Sequence, residues 1–305
     1  MPRIVSLISS ATEIVHALGQ TSNQIGRSHE CDFPLEIAAL PVCTKPTIDI
    51  YADSREIDRA VKDRVRNALS VYDVFDDELE RLQPTHIITQ TQCEVCAVSL
   101  KDVERSVAMR LDSKPRIVSL TPNSLADVWD DIRRVAKALA IEAHGEVVIA
   151  SLQARMCGIS EKAKGAAERP RVACIEWTEP LMAGGNWTPE LVEMAGGVNL
   201  LGEAGRHSGY VTWDELVASD PDVIVIAPCG FDIPRTQGEM HWLTERAGWE
   251  SLRAVKSGQV YLADGNQYFN RPGPRLVETL QILVEILHPG VLQPTFEGVG
   301  WSKWG

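Results

Sequence analysis

The sequence predicts an α/β protein made of two similar lobes with parallel sheets, bridged by a long helix. Short runs rich in β-branched residues alternate with helical segments in both halves of the chain. Strands separated by helices are typical of parallel α/β units. The segment 123–165 differs, because its apolar residues recur three and four positions apart and it contains no proline. We therefore expect an N-terminal lobe at 1–121, a linking helix at 122–168 and a C-terminal lobe at 169–305.

The predicted strands of the first lobe are RIVSLIS at 3–9, QIGRS at 24–28, THIITQ at 85–90 and RIVSL at 116–120. After the first strand, Ser10 followed three residues later by Glu13 predicts a capping box, and Gly19 predicts the end of that helix. The linking segment is either one helix or two packed helices with a tight turn. Gly145 and Gly158 are the candidate bends.

The second lobe repeats the pattern, with predicted strands RVACIE at 171–176, DVIVIAP at 222–228 and QVYLAD at 259–264. A helix at 188–197 carries Pro189 in its first turn, where proline is favoured. The last helix lies within 271–289, and the tail 293–305 is expected to be irregular. Ligands of open α/β sheets bind at the carboxyl ends of strands. The loops there are expected to line a cleft between the lobes.

Composition excludes several classes of protein. The net charge of −12 disfavours nucleic acid as a partner, because an acidic surface repels phosphates. No stretch approaches the roughly 20 apolar residues of a membrane span, so no membrane insertion is expected. The N-terminal apolar run is interrupted by polar residues, unlike a secretory signal. Seven scattered cysteines indicate free thiols in a reducing compartment, so we expect a cytoplasmic protein.

The loops of the first lobe contain groups that could bind a ligand or a metal. Backbone amides near Ser10, Thr12 and Glu13 could hold an anion, or these residues could only cap the helix. Three thiols and an imidazole could form a tetrahedral zinc site or hold iron, and these residues are Cys31, Cys93, Cys96 and His29, with Glu30 beside them. The Cys93–Cys96 spacing also fits a redox pair or simple packing.

The loops of the second lobe are rich in aromatic residues for a chain with 6% aromatic content. Aromatic rings offer flat faces to a planar ligand, although Trp187 could equally pack its helix onto the core. The candidate ligand contacts here are Glu176, Trp177, Trp187, His207, Tyr210, Phe231, Tyr268, Phe269 and Arg271. No nucleophile elbow, phosphate-binding loop or dinucleotide fingerprint is present. The sequence therefore indicates no catalytic residues.

These segments together resemble a known family. RIVSLISSATEIVHALG, the strand before QTQC, the proline-free linker, RVACIEW and GGNWTPELVEMAGG are similar to the cobalamin-binding branch of the ABC-importer substrate-binding proteins. This branch belongs to the helical-backbone metal-receptor superfamily. The resemblance implies two Rossmann-like lobes in a class III periplasmic-binding-protein-like fold, one rigid helix and a ligand held between the lobes. It also implies an ABC permease as partner.

Our first hypothesis is a binding protein, not an enzyme, for cobalamin or a related corrinoid or metal chelate. Because the chain starts at its first strand, we expect a cytosolic relative, or a periplasmic one if a signal peptide lies upstream. The alternative is a metal-dependent enzyme on the same fold, with zinc or iron at Cys31, Cys93 and Cys96 and with Glu30 or Glu94 as proton carrier. A third possibility is a transporter subunit whose exported start is missing.

Overall fold

The computed structural model describes residues 1–67, 69–91, 103–104 and 111–305 of the chain. The chain forms two compact units. Unit 1 comprises Met1–Ala52, Glu56–Pro122 and Ala126–Ser151, and unit 2 comprises Asp53–Arg55, Asn123–Leu125 and Leu152–Gly305. Each unit has a sheet with parallel strands and flanking helices, as the sequence predicts. The expected three-part division into two lobes and a linking segment stays a prediction.

Unit 1 contains a small parallel sheet. Its described strands are β1 Ile4–Ser6, β2 Gln24–Arg27, β3 Thr44–Pro46, β4 Tyr72–Val74, β5 His86–Gln90 and β6 Arg116–Leu120. The order β2-β1-β5-β6 forms one parallel sheet, and β3 pairs with β4 in a separate antiparallel ribbon. The helices are α1 Ser9–Ala17, α2 Ser54–Arg66 and α3 Asp76–Leu82. Val5, Leu79 and Ile87 are fully buried in the core of this unit.

The segment 123–165 forms two helices, α4 Leu125–Ala138 and α5 Glu142–Ala163, so the expectation of one long helix is wrong. The chain turns at Ala140, whose φ of 58° lies in the left-handed region and ends the first helix. Gly145 does not bend a helix. A Cβ at this position would lie 2.5 Å from the Cβ of Ala136, so glycine is needed where α5 crosses α4.

Unit 2 contains the larger sheet. Its described strands are β7 Arg171–Trp177, β8 Met182–Ala183, β9 Val198–Asn199, β10 Val223–Ile226, β11 Val260–Ala263 and β12 Trp301–Lys303. β10 lies between β7 and β11 and is parallel to both, whereas β8 and β12 are antiparallel to their neighbours. The helices are α6 Thr188–Met194, α7 Trp213–Ser219, α8 Ile233–Glu239, α9 His241–Thr244, α10 Arg253–Lys256 and α11 Leu276–Leu287. None of the described helices is long and apolar enough to cross a membrane.

Hydrogen bonds to one buried carboxylate hold the C-terminal tail in place. The tail contains strand β12, so the expectation of an irregular tail is wrong for these residues. Glu285 of α11 is 5% exposed. Its Oε1 accepts hydrogen bonds from Gln281 Nε2 (3.1 Å) and from the backbone amide (3.0 Å) and hydroxyl (3.1 Å) of Thr295. Its Oε2 accepts from the amide of Phe296 (3.1 Å) and from Nε1 of Trp301 (2.9 Å). Four of these five donors belong to the tail, and they hold it against α11.

Replacing Glu285 should destabilise the protein strongly. Glu285→Ala leaves buried donors without an acceptor, and we expect the free energy of unfolding to fall by about 3 kcal/mol or more. The measurement is urea unfolding at pH 7. Glu161→Ala is the matched control, because Glu161 pairs with Lys164 on the surface and its side chain is 62% exposed. The control should change stability by less than about 0.5 kcal/mol. Equal stability of Glu285→Ala and wild type would contradict the role of this carboxylate.

Candidate functional site

The first turn of α1 lies inside unit 1. Ser10, Thr12 and Glu13 are each at most 1% exposed. The helix begins at Ser9 after Ile8, and no side chain caps its N-terminus, so the predicted capping box of Ser10 and Glu13 is wrong. The reason is that the helix begins one residue before Ser10, so Ser10 lies within its first turn and is not the N-cap. Whether these residues hold an anion stays a prediction.

His29 follows β2 and lies in a network of polar side chains. Its Nδ1 lies 2.8 Å from Thr44 Oγ1, and its backbone amide donates to the same oxygen at 3.1 Å. Thr44 Oγ1 donates to Ser28 Oγ at 3.1 Å. The hydroxyl of Tyr72 donates to Glu30 Oε1 at 2.9 Å, and the rings of His29 and Tyr72 are 5.2 Å apart. Burial, helped by the charge of Arg27, lowers the pKa of His29 to about 4, so the imidazole is neutral at pH 7.

The cysteines of the described residues are placed mainly by packing. Cys31 is 2% exposed and its Sγ accepts a hydrogen bond from Thr12 Oγ1 at 3.0 Å. Burial raises the pKa of Cys43 and of Cys174 to about 12, with the charge of Glu78 and of Glu176 as the respective second cause. Such thiols stay protonated and are poor nucleophiles.

Cys93, Cys96 and Glu94 lie outside the described residues, so the expected site of three thiols and His29 stays a prediction. Within the part of the chain that the structure describes, no group of three or more His, Cys, Asp or Glu side chains is arranged to hold a metal ion.

In unit 2, the loops that follow β7, β10 and β11 are tied to one another. The amide of Cys229 donates to Glu176 O at 3.1 Å. The amide of Asn266 donates to Phe231 O at 3.1 Å, and Asn270 Nδ2 donates to Ala227 O at 2.9 Å. These three strands are parallel, so their carboxyl ends meet at one edge of the sheet. Backbone hydrogen bonds make this edge a fixed surface rather than a set of independent loops.

Glu176 is the best-positioned polar group at this edge. Ser208 Oγ donates to its Oε2 at 2.7 Å, and the amide of Gly185 donates to Ser208 Oγ at 2.9 Å. Nδ1 of His207 donates to the carbonyl of Ser208 at 2.9 Å. Tyr210 follows two residues later and is 57% exposed. The segment 207–210 therefore contacts the Glu176 carboxylate through Ser208 and carries an accessible aromatic ring. Ser208 is a site residue that sequence reasoning missed.

Most of the predicted aromatic contacts lie in the core of unit 2. The buried ones, between 2% and 9% exposed, are Trp177, Trp187, Phe231, Tyr268 and Phe269. Nε1 of Trp187 donates to Phe269 O at 2.9 Å, which favours the alternative that Trp187 packs its helix onto the core. Nε1 of Trp177 donates to Ser54 O at 3.1 Å. Their ligand contacts stay a prediction, and Tyr210 is the exposed exception among the aromatic candidates.

Two arginines near this edge, Arg235 and Arg275, were not among the residues predicted from the sequence. The guanidinium of Arg235 lies 3.7 Å from the centroid of the Phe231 ring, and that of Arg275 lies 4.5 Å from the centroid of Tyr268. Arg271, a predicted contact, is 3% exposed and donates to Asn266 Oδ1 at 3.0 Å. Each stacked cation lies close in sequence to its ring, with Arg235 four positions after Phe231 and Arg275 seven positions after Tyr268, so the signal was present in the sequence.

Comparison with known proteins identifies the class. Residues 4–266 match the family described as periplasmic binding protein, and the chain belongs to that family. An uncharacterized ABC transporter substrate-binding lipoprotein, YvrC of Bacillus subtilis (strain 168), is 24% identical over 293 residues, which are 94% of this chain and 80% of YvrC. The family predicted from the sequence is thus confirmed.

Two solved structures share the fold. The apo periplasmic heme-binding protein RhuT from Roseiflexus sp. RS-1 is 20% identical with a TM-score of 0.69, covering 95% of this chain and 99% of RhuT. The periplasmic vitamin B12-binding protein BtuF of Vibrio cholerae is 18% identical with a TM-score of 0.65, covering 94% of this chain and 96% of BtuF. The predicted class III periplasmic-binding-protein-like fold is confirmed.

Family membership decides two further expectations. The chain is a substrate-binding protein with a small-molecule ligand and an ABC permease as partner, not an enzyme, as predicted. The expected cytoplasmic location is wrong, because the family is periplasmic, YvrC is a lipoprotein and RhuT is periplasmic, which points to an extracytoplasmic location. The number of cysteines led to the wrong compartment. Cys43 and Cys174 are buried packing residues, and such residues do not indicate where a protein is located.

The loop around Glu176 should not tolerate a side chain at Gly185. A Cβ there would lie 2.5 Å from Arg206 O and 2.8 Å from Ser208 N, and both neighbours are backbone atoms. We expect Gly185→Ala to lower the free energy of unfolding by about 1–3 kcal/mol in urea unfolding. Gly209→Ala is the matched control in the same loop, since no atom lies within 4 Å of its Cβ position. Equal effects of both substitutions would contradict the close packing of this loop.

Thiol reactivity should follow burial. In native protein treated with iodoacetamide at pH 8, Cys157 should be alkylated because it is exposed, whereas Cys43 and Cys174 should resist because their pKa values of about 12 keep them protonated. Peptide mapping by mass spectrometry separates the sites. Unfolding in urea is the control and should make all three react. Rapid labelling of Cys43 or Cys174 in the native state would show that these thiols are not buried.

Proposed function

We propose that this protein binds cobalamin or a related corrinoid outside the cytoplasm and passes it to an ABC importer. The proposal goes beyond family membership, which leaves the ligand open. Its first support is the likeness of fold to a vitamin B12-binding protein and to a heme-binding protein. Both ligands are flat metal chelates, which defines the chemical class of ligand that we propose.

The carboxylate of Glu176 is the observation that carries the choice of a corrinoid over a porphyrin. The rim of a corrinoid carries amide groups, which donate hydrogen bonds, whereas the rim of a protoporphyrin carries carboxylates. A carboxylate accepts from amides and repels other carboxylates. Ser208, fixed by the amide of Gly185, holds Glu176 Oε2 in place. The exposed ring of Tyr210 on the same segment offers a flat apolar contact.

Rigidity of the unit 2 edge supports tight binding. Hydrogen bonds join the loops after β7, β10 and β11 and hold their backbones in one arrangement. Binding then costs little additional ordering of the backbone, which favours affinity. The net charge of −12 also disfavours anionic ligands at long range. Enzymatic use of a cysteine-bound metal, the earlier alternative, finds no support in the family.

Ligand choice can be tested by titrating purified protein with aquocobalamin, iron(III) protoporphyrin and a ferric catecholate in parallel. Quenching of the eight tryptophans reports binding. We expect aquocobalamin to bind with the lowest Kd. Glu176→Ala should weaken its binding about tenfold, which corresponds to about 1.4 kcal/mol and to the loss of a hydrogen bond to a charged group.

Glu203→Ala is the control for the loss of one negative charge. Glu203 is exposed and forms an ion pair with Arg206, so this substitution should leave the Kd unchanged. Tighter binding of iron(III) protoporphyrin than of aquocobalamin would contradict the choice of a corrinoid. Absence of quenching by all three chelates would overturn the proposal.

A further inference from the structure

Residues Asp53–Arg55 belong to unit 2, although the residues on either side of them along the chain belong to unit 1. Ser54, the first residue of α2, is fully buried. Its backbone amide donates to Glu239 Oε2 at 3.2 Å, and its carbonyl accepts from Nε1 of Trp177 at 3.1 Å. The hydroxyls of Ser54 and Thr178 lie 2.9 Å apart. Side chains of unit 2 therefore hold Ser54 at three separate points.

Arg55 adds an outer layer of contacts to the same segment. Its Nη2 lies 3.2 Å from Glu179 Oε1, and its guanidinium lies 4.1 Å from the centroid of the Trp242 ring. The three residues that directly follow Glu176 are thus each bonded to the segment 54–55. That segment therefore anchors the chain just beyond the carboxylate that we propose to contact the ligand.

Glu176 lies where the pairing of β7 with β8 is irregular. Ile175 pairs with Ala183 and Trp177 pairs with Met182, so the register shifts at Glu176. An extra residue of this kind is left out of the ladder, and the local bend re-aims its side chain. Pairing with β8 therefore does not set the direction of the Glu176 carboxylate. The anchoring of the residues that follow it must contribute.

The Trp177 ring extends this support to a second loop. Its centroid lies 5.1 Å from that of Phe231, in the loop after β10. The amide of Asn266, in the loop after β11, donates to the carbonyl of Phe231 at 3.1 Å. Because the indole N–H of Trp177 is held by Ser54, the docked segment supports the edge of the sheet on which Glu176 lies.

We propose that Ser54 and Glu239 are positioning residues for the ligand contact of Glu176. The inference rests on the proposed function, in which Glu176 selects a corrinoid. Ser54 is fully buried and Glu239 is 8% exposed, so neither lies where a ligand could reach it. They act by holding Trp177 and Thr178, which sets the direction in which the Glu176 carboxylate meets the amides of the corrinoid rim.

These buried residues should affect ligand affinity. In titrations with aquocobalamin, Glu239→Ala should raise the Kd about fivefold, because the amide of Ser54 loses its acceptor. Glu239→Gln keeps an acceptor oxygen and should stay within about twofold of the wild-type Kd. Thr178→Val removes one hydroxyl with little change in shape and should raise the Kd about threefold.

A double-mutant cycle separates positioning from a general loss of stability. Glu176→Ala should itself raise the Kd about tenfold. Because Glu239 acts through Glu176, the double variant Glu176→Ala with Glu239→Ala should also be about tenfold weaker than wild type, not about fiftyfold. Additive effects would show that Glu239 influences binding by another route and would overturn the positioning role.

Asp222→Ala is the matched control, because Asp222 acts on the opposite end of the same strand. Its Oδ2 accepts from the backbone amide of Arg171, the first residue of β7, at 2.9 Å. The ends of this seven-residue strand lie about 20 Å apart. The variant should lower the midpoint of urea unfolding and leave the Kd unchanged. Circular dichroism reports the folding of every variant.

The indole N–H of Trp177 reports the docking of Ser54 without any ligand. Its NMR signal is assigned with Trp177→Phe. Hydrogen exchange at this group should be slow in the wild type and about tenfold faster in Glu239→Ala, because the contact with Ser54 is loosened. Equal exchange rates in the two proteins would show that Glu239 does not hold this contact and would overturn its role.

The titrations also separate the inference from the function on which it rests. Binding of aquocobalamin by wild type with the same Kd in Glu239→Ala would overturn the positioning role and leave the corrinoid proposal standing. An unchanged Kd in Glu176→Ala would overturn the role of Glu176 and with it the positioning inference. Failure of wild type to bind aquocobalamin would overturn both proposals together.

Discussion

Parallel strand pairing is the constraint on which the candidate site depends. In a parallel sheet every strand ends at the same edge, so residues far apart in sequence come together there. In unit 2 this places the loops after β7, β10 and β11 side by side, and their backbones then bond to one another. In unit 1 the ends of β1 and β2 bring Thr12 and Cys31 into hydrogen-bond contact.

Buried polar groups hold neighbouring segments together within this arrangement of strands. Glu285 satisfies five donors and orders the C-terminal tail, and Ser208 links the amide of Gly185 to the carboxylate of Glu176. Because such groups are costly to bury without partners, each network specifies one arrangement of its loops. Nε2 of His29 is one of several buried side-chain atoms without a hydrogen-bond partner in the described residues.

The aromatic residues show how composition can mislead. Trp177 and Trp187 follow a strand in a loop-rich segment and read as ligand contacts, yet both are buried and donate their indole N–H groups to backbone carbonyls. An aromatic side chain removes a large apolar area from water, so a core position is at least as favourable as a ligand site. Sequence pattern does not distinguish these outcomes. Tyr210 differs because it is 57% exposed.

By itself the sequence determined the α/β class, most strand positions and the family, because strand and helix patterns are local and the family motifs lie in continuous stretches. The sequence did not decide which of the local motifs form in the folded chain. Ser10 and Glu13 have the spacing of a capping box without forming one, whereas Thr212 and Glu215 form one at the start of α7. Helix α1 begins at Ser9, so Ser10 is not its N-cap, whereas Thr212 is the N-cap of α7 and its amide donates to the Glu215 carboxylate.

Tertiary structure alone decided the partners of side chains that meet across long stretches of chain. Trp177 bonds to Ser54 across 123 positions, and Glu285 organises a tail that looked irregular. The ring of His29 contacts Thr44, which the antiparallel pair β3–β4 positions. The physical reason is that hydrogen-bond partners and burial depend on which segments pack together. That packing is a property of the whole fold, and no window of sequence contains it.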